Sequence, residues 1–169
     1  MIDNIYLLDY DISNKDTIIK MIGDFFSFHS TLIETNKEST EEGYVQATET
    51  LTDWLQNYLK IIMFNKENIG FVRIAQRGCT LAWLEDIYVI PKYRKRGIAT
   101  KAIELSETFV QDVLKAPALC LDVVPRNLDA IKLYYKEGYN NISIITLRKE
   151  FGINKRDIKE SFLGFDFNI

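Results

Sequence analysis

The sequence predicts an α/β domain built on a mixed sheet, and three features carry that prediction. Two amphipathic helical stretches lie near the start, and a strand, helix, strand, helix, strand succession fills the middle. Between them an aromatic and β-branched strand runs through a short basic turn directly into a long helix. No repeat, low-complexity tract or linker interrupts the chain. Its 169 residues, 47% of them hydrophobic, are enough for one core and short for two, so the expectation is a single domain over 1–169.

Taken in order, Ile5-Tyr6-Leu7-Leu8 reads as a first strand. Residues 16–28 place Ile18, Ile22, Phe25 and Phe26 on one helical face. From His29 to Gly43 the periodicity lapses, which predicts a loop of the length that usually carries function. A second helix follows, with Ala47, Leu51, Trp54, Leu55 and Tyr58 at helical spacing. Lys60–Phe64 and Ile69–Gln76 are strand-like runs joined by the polar turn Asn65-Lys66-Glu67-Asn68. Arg77-Gly78 then turns the chain into the central strand, Leu81 to Ile90, which Pro91 closes. Apolar residues at Ile98, Ala102, Leu105, Phe109 and Val113 keep helical spacing for about four turns until Pro117. Leu119–Val124 is a short apolar strand, and Asn127–Lys136 a short helix with Gly138 as its C-cap. Ile142–Leu147 and Phe162–Ile169 read as the last two strands. The aromatic tail either completes the sheet, the preferred reading, or pairs with a second copy in a homodimer.

The turn Arg94-Lys95-Arg96-Gly97-Ile98-Ala99-Thr100 is where chemistry is first expected. A strand that ends in a Gly-containing turn and opens into a helix aims unpaired backbone N–H groups and the positive end of the helix dipole at one point, an anion site. Three cationic side chains in that turn favour phosphate or pyrophosphate as the anion. The alternatives are a solvated basic turn and a nucleic-acid patch. The second is disfavoured because the run is short and the protein acidic overall.

Arg94, Gly97 and Ala99 fill the pattern Arg or Gln, two residues, Gly, one residue, Gly or Ala. A second block lies downstream: Val123-Val124-Pro125-Arg126-Asn127, then Ala130, then Leu133-Tyr134-Tyr135-Lys136-Glu137-Gly138-Tyr139. In these two ordered blocks the chain resembles the GCN5-related N-acetyltransferase (GNAT) superfamily, over roughly residues 61–149. The resemblance implies a GNAT-type mixed, mostly antiparallel sheet flanked by helices, whose two central strands splay apart; here those would end near Ile90 and Val124. It also implies acceptor-side helices at about 16–60, an acetyl-CoA-binding core at about 61–149, and a C-terminal strand at about 161–169.

The same resemblance implies roles. Backbone amides from Arg96 to Lys101, that is Arg96, Gly97, Ile98, Ala99, Thr100 and Lys101, would grip the pyrophosphate, with Arg94 framing the turn and Lys95 adding charge. Backbone groups of Ile87 and Val89 would pair with the pantetheine arm as a further strand. Tyr134 matches the family's general acid, against the plainer reading of a core tyrosine. Asn127 would contact the cofactor, although Asn before a helix is also an ordinary N-cap. Ala99 in place of the commoner Gly and Arg96 in place of a small residue or Lys are the two departures, and neither removes the anion site.

Attack by an alkylamine requires loss of a proton, since an amine with a pKa near 10 is mostly protonated at neutral pH. Glu85 is the candidate base. By strand alternation it shares a face with Trp83, Ile87 and Val89, where burial would raise its pKa. Asp86 points the other way in a regular strand, but a bulge of the kind frequent in this family would blur the distinction. The alternative for both is binding of a cationic substrate. His29, at a helix end beside the acceptor loop, is read as a capping or surface residue, with a catalytic role as the alternative.

Composition bounds the rest. Residues 1–60 hold 11 Asp and Glu against 4 Lys and Arg, and residues 61–169 hold 13 against 17, so a net charge of −3 conceals balances of −7 and +4. An acidic half facing a cationic acceptor and a basic half facing an anionic cofactor would produce this, as would ordinary surface variation. Cys79 and Cys120 match no metal spacing, and with one histidine no metal site is expected. Neither cysteine is in a setting that activates a thiolate, which disfavours a covalent acetyl-enzyme. No long apolar run predicts a membrane span, the first residues lack the pattern of a signal peptide, and the cytoplasm is the expected compartment. The reading is therefore an acyltransferase that moves acetyl from acetyl-CoA to a small, cationic primary amine by direct attack in a ternary complex. A protein or peptide N-acetyltransferase and a non-catalytic CoA-binding module are the alternatives.

Overall fold

The computed structural model describes residues 4–33, 40–78, 80–149, 151 and 158–169. The chain falls into two compact units, Met1–Asp122 and Val123–Ile169.

The first unit holds a five-stranded sheet in the order β1-β2-β3-β4-β5. Its strands are β1 (Ile5–Asp9), β2 (Tyr58–Phe64), β3 (Glu67–Arg77), β4 (Leu81–Val89) and β5 (Leu119–Leu121). The first four are joined antiparallel, and β4 with β5 forms the one parallel pair. The sheet is thus mixed and mostly antiparallel, as expected. Between β2 and β3, Asn65 and Lys66 both take positive φ, 50° and 67°, the geometry of a two-residue turn whose twist matches its strands.

Two helices, α1 (Lys15–Ile33) and α2 (Thr40–Trp54), cover one face. Ile18, Met21, Ile22, Phe25, Ala47, Leu51 and Trp54 meet Leu59, Ile61, Met63, Phe71 and Tyr88 in one buried cluster. Phe71 is its centre, with ring centroids 5.8 Å from Phe25, 5.5 Å from Trp54 and 5.7 Å from Tyr88. Each aromatic pair of this kind adds about 0.5–1.5 kcal/mol beyond the area it buries. The helix α3 (Ile98–Phe109) packs against β1, β3 and β4, and continues as a π-helical turn over Val110–Leu114. Its buried side is Ile98, Ala102, Ile103, Ser106 and Val110, so Val113, expected on the apolar face, is exposed. Lys115 at φ 54° and Pro117 end it.

Gly70 in the middle of β3 has a steric cause. A Cβ there would lie 2.1 Å from the carbonyl oxygen of Tyr88 on β4. The two strands approach closely at this point because one side chain is missing.

The second unit carries α4 (Leu128–Lys136) and a hairpin of β6 (Lys159–Phe162) and β7 (Phe165–Asn168). Several expectations change here and upstream. The tail is a self-paired hairpin turning at Leu163 and Gly164, both at positive φ, where one strand closing the main sheet was expected. Residues 142–147 form no strand, having no ladder partner among the described residues. The loop expected from His29 to Gly43 is helical at both described ends: α1 runs on to Ile33 and α2 begins at Thr40, and the remainder lies outside the described residues. Leu55 and Tyr58, expected on α2, fall beyond it. β5 stops at Leu121, short of Val124.

Candidate functional site

After β4 the chain makes a short 3-10 turn, Pro91–Tyr93, and then swings into α3. Lys95 at φ 59° and Gly97 at φ 76° both adopt the left-handed region, which costs Gly nothing and Lys about 1–2 kcal/mol. Gly97 is the N-cap of α3. It supplies no side-chain cap, and the first turn contains no acidic residue that would neutralise the dipole. The opening of α3 is therefore left to an anion. Arg94 frames the turn: its Nε donates to the Val89 carbonyl at 2.9 Å, and its guanidinium lies 4.9 Å from the Phe28 ring and 5.6 Å from Tyr88. Arg96 leans on Tyr93 at 5.7 Å, and Lys101 bonds Glu104 at 2.8 Å. Uncapped amides at Ile98 and Ala99, with Arg94, Lys95 and Arg96 around them, fit a pyrophosphate such as that of acetyl-CoA.

Along β4 the pairing is lopsided. Its β3 side is bonded throughout, but β5 reaches only Ala82, Trp83 and Leu84. From Glu85 to Val89 the other edge has no strand partner among the described residues, so the central strands part there. Ile87 and Val89 lie on this open stretch, opposite Val72 and Gly70 of β3. The Val89 carbonyl already accepts from Arg94, which uses one of its two lone pairs.

The register of β3 and β4 shifts between Arg73 and Ile74: Arg73 faces Asp86, Ile74 faces Leu84, and Glu85 is the extra residue of a β-bulge. This corrects the face assignment. Glu85 stays with Trp83 but not with Ile87 and Val89, and Asp86 joins it on the side of α1 and α2. Both carboxylates meet arginines of β3. Arg77 grips Glu85 in a fork, Nε to Oε1 at 2.8 Å and Nη2 to Oε2 at 2.6 Å, while Arg73 Nε donates to Asp86 Oδ2 at 2.6 Å. Arg73 Nη2 also stands 3.8 Å from Glu85 Oε2, and Arg77 Nη1 3.6 Å from Asp122. Both guanidiniums are seated on indoles, Arg73 4.7 Å from Trp54 and Arg77 4.0 Å from Trp83. The carboxylate side chains are 12% and 13% exposed, so solvent screens these pairs weakly. Burial pushes the Asp86 carboxyl above its usual range, with Glu85 adding to the rise and Arg73 and His29 opposing it.

Arg73 and Arg77 were missed in the sequence. A signal existed, since two arginines four apart along a strand share a face and a buried guanidinium demands a carboxylate. His29 lies within α1, not at its end, with its ring 4.7 Å from Phe25, and its charge reaches Asp86. Cys120 is a free thiol in β5, and Cys79 lies outside the described residues. No group of three or more metal-binding side chains occurs among the described residues, and no helix there is long and apolar enough to cross a membrane.

In the second unit Asn127 caps α4, its Oδ1 accepting from the Ala130 amide at 3.3 Å. Its N-cap role is thus in place. Tyr134 sits on α4 in edge contact with Tyr139, centroids 5.9 Å apart, and is half-buried.

Residues 27–139 match the model of the Acetyltransferase (GNAT) family. No curated protein sequence matches the chain. Among solved structures it is similar to a Pyrococcus furiosus protein assigned as an acetyl transferase, with TM-score 0.68 and 20% identity over 86% of this chain and 99% of that one. It is also similar to the PaiA N-acetyltransferase of Thermoplasma acidophilum in complex with coenzyme A (0.67, 18%, 79% and 88%). A third likeness is to the aminoglycoside N-acetyltransferase AAC(6')-Iy in complex with CoA (0.60, 16%, 88% and 95%). At these identities the likeness is one of fold.

Proposed function

This chain belongs to the GNAT acetyltransferase family, and from that premise we propose that it transfers an acetyl group from acetyl-CoA to a primary amine by direct attack in a ternary complex. One observation carries the proposal: an uncapped, cation-flanked helix start directly follows a strand that is open along one edge beyond Leu84. The first feature suits a diphosphate and the second an extended arm laid beside the strand.

When bound, acetyl-CoA supplies the activated acyl group. The amides from Arg96 to Thr100 hold its diphosphate, that of Lys101 being already bonded to the Gly97 carbonyl at 3.0 Å, while Arg94 and Lys95 shape and charge the turn and Ile87 with the free groups of Val89 aligns the arm. A carboxylate at the β4 bulge, Glu85 or Asp86, takes the proton that the amine must lose. Tyr134 returns a proton to the departing sulfur, and Asn127 contacts the cofactor while capping α4. The whole chain acts as one acetyltransferase domain. The acceptor is a small cationic amine; the balance of −7 over residues 1–60 favours its approach.

Release of free thiol from acetyl-CoA across a panel of polyamines, aminoglycosides, amino acids and lysine peptides tests this. Turnover with a small amine is expected. Acetyl-CoA binding without turnover for any acceptor would reduce the protein to a CoA-binding module, and turnover with peptides alone would reassign the acceptor.

A further inference from the structure

Resting on the acetyltransferase reading, we infer that Asp86, not Glu85, is the carboxylate that takes the amine proton, while Glu85 is a fixed partner of Arg77. The bulge puts the two side by side on one face. Their guanidinium partners then separate them. Both oxygens of Glu85 are held by the Arg77 fork at 2.8 and 2.6 Å, with Arg73 3.8 Å from Oε2. A carboxylate forked at both oxygens has its geometry fixed by the guanidinium and leaves no oxygen without a donor for an incoming N–H. Asp86 is held at one oxygen only, Oδ2, by Arg73 Nε. Among the described residues no donor reaches its Oδ1.

The environment sharpens the difference. Charges reaching Asp86 are those of Arg73 on β3, Glu85 on β4 and His29 on α1, while α2 contributes Trp54, an uncharged platform for Arg73. Burial is the largest influence and raises the Asp86 carboxyl toward the range of a useful base. Arg73 thereby positions Asp86 without neutralising its remaining oxygen.

The proton balance closes. The acceptor ammonium passes one proton to Asp86 Oδ1, which releases it to water. The nitrogen lone pair then forms the C–N bond, the C–S bond breaks with its electron pair on sulfur, and the second nitrogen proton leaves to Asp86 as Tyr134 protonates the sulfur. Asp86 and Tyr134 are restored through water, and one proton is released to solvent overall.

The experiment compares Asp86→Asn with Glu85→Gln in the full chain, by pH profiles of kcat and by a series of acceptor amines of falling pKa. Wild-type kcat is expected to fall as pH drops through the raised Asp86 pKa, because the protonated carboxyl accepts nothing. Asp86→Asn should remove that acid limb and lower kcat about 10²-fold or more with a strongly basic amine, but about tenfold or less with a weakly basic one that is already neutral. Glu85→Gln should keep the limb and lose less than about tenfold. The amine series is read within one variant, so a partial loss of folded protein does not imitate the result. Equal losses for strongly and weakly basic amines in Asp86→Asn, or an acid limb that survives there and disappears in Glu85→Gln, would overturn the assignment alone. Absence of thiol release by the wild type with every amine would remove the acetyl-transfer reading and this assignment together.

Discussion

The two units differ most in what they bury. Every buried residue among those described lies between Ile5 and Ala116, and after Asp122 the described residues are half-buried or exposed. The first unit draws its stability from a dense aromatic and aliphatic core around Phe71. The second relies on local devices: the Asn127 cap, the Tyr134–Tyr139 edge contact and a four-residue hairpin ladder. Regions with few buried apolar contacts open at lower free energy than the core that supports them. Substitutions in the core of the first unit should therefore cost more in melting temperature than comparable ones in the second.

Five substitutions probe that contrast. The largest effect is expected from Gly97→Glu, which places a negative charge and a side chain with unfavourable φ at the proposed diphosphate site. Calorimetry should detect no acetyl-CoA binding, and normal binding would dissociate the α3 start from the cofactor. Next is Gly70→Ala, whose added carbon 2.1 Å from the Tyr88 oxygen must part β3 from β4. A loss at or beyond the upper end of about 1–3 kcal/mol is expected, roughly 2–4 °C in Tm for each kcal/mol. The matching change in the second unit, Gly138→Ala, has open space around it and suffers only from φ +97°, about 1–2 kcal/mol. A larger cost for Gly138→Ala than for Gly70→Ala would invert the contrast. Tyr134→Phe should lower kcat about 10²-fold while acetyl-CoA affinity and Tm hold, and unchanged turnover would remove Tyr134 from the mechanism. The smallest effect belongs to Asn127→Ala, about 1 kcal/mol from loss of the α4 cap, read by thermal melting.

How much was legible differs along the chain for the same reason. The β4, turn and α3 succession could be read directly, because Pro91, Gly97 and the apolar spacing from Ile98 are local signals. Asn127 before α4 is another. The extent of α1 through His29 was not legible: polar residues there do not break a helix once Phe25 and His29 pack against each other. The C-terminal strands were misread because alternation shows that Phe162–Ile169 can form strand and says nothing about which strand it will pair with.

At the candidate site the division is sharper still. Residue order alone determined that a basic, glycine-containing turn would start a helix after a strand, and that Glu85 and Asp86 would sit in that strand, since backbone preferences and periodicity act over a few residues. Only the tertiary structure decided which way those carboxylates point and what holds them. The bulge at Glu85 exists because β3 and β4 lose register between Arg73 and Ile74. The arginine partners come from another strand, 8 to 13 residues away along the chain. Pairing register is settled by all the strands and helices packed together, so no local stretch of sequence contains it.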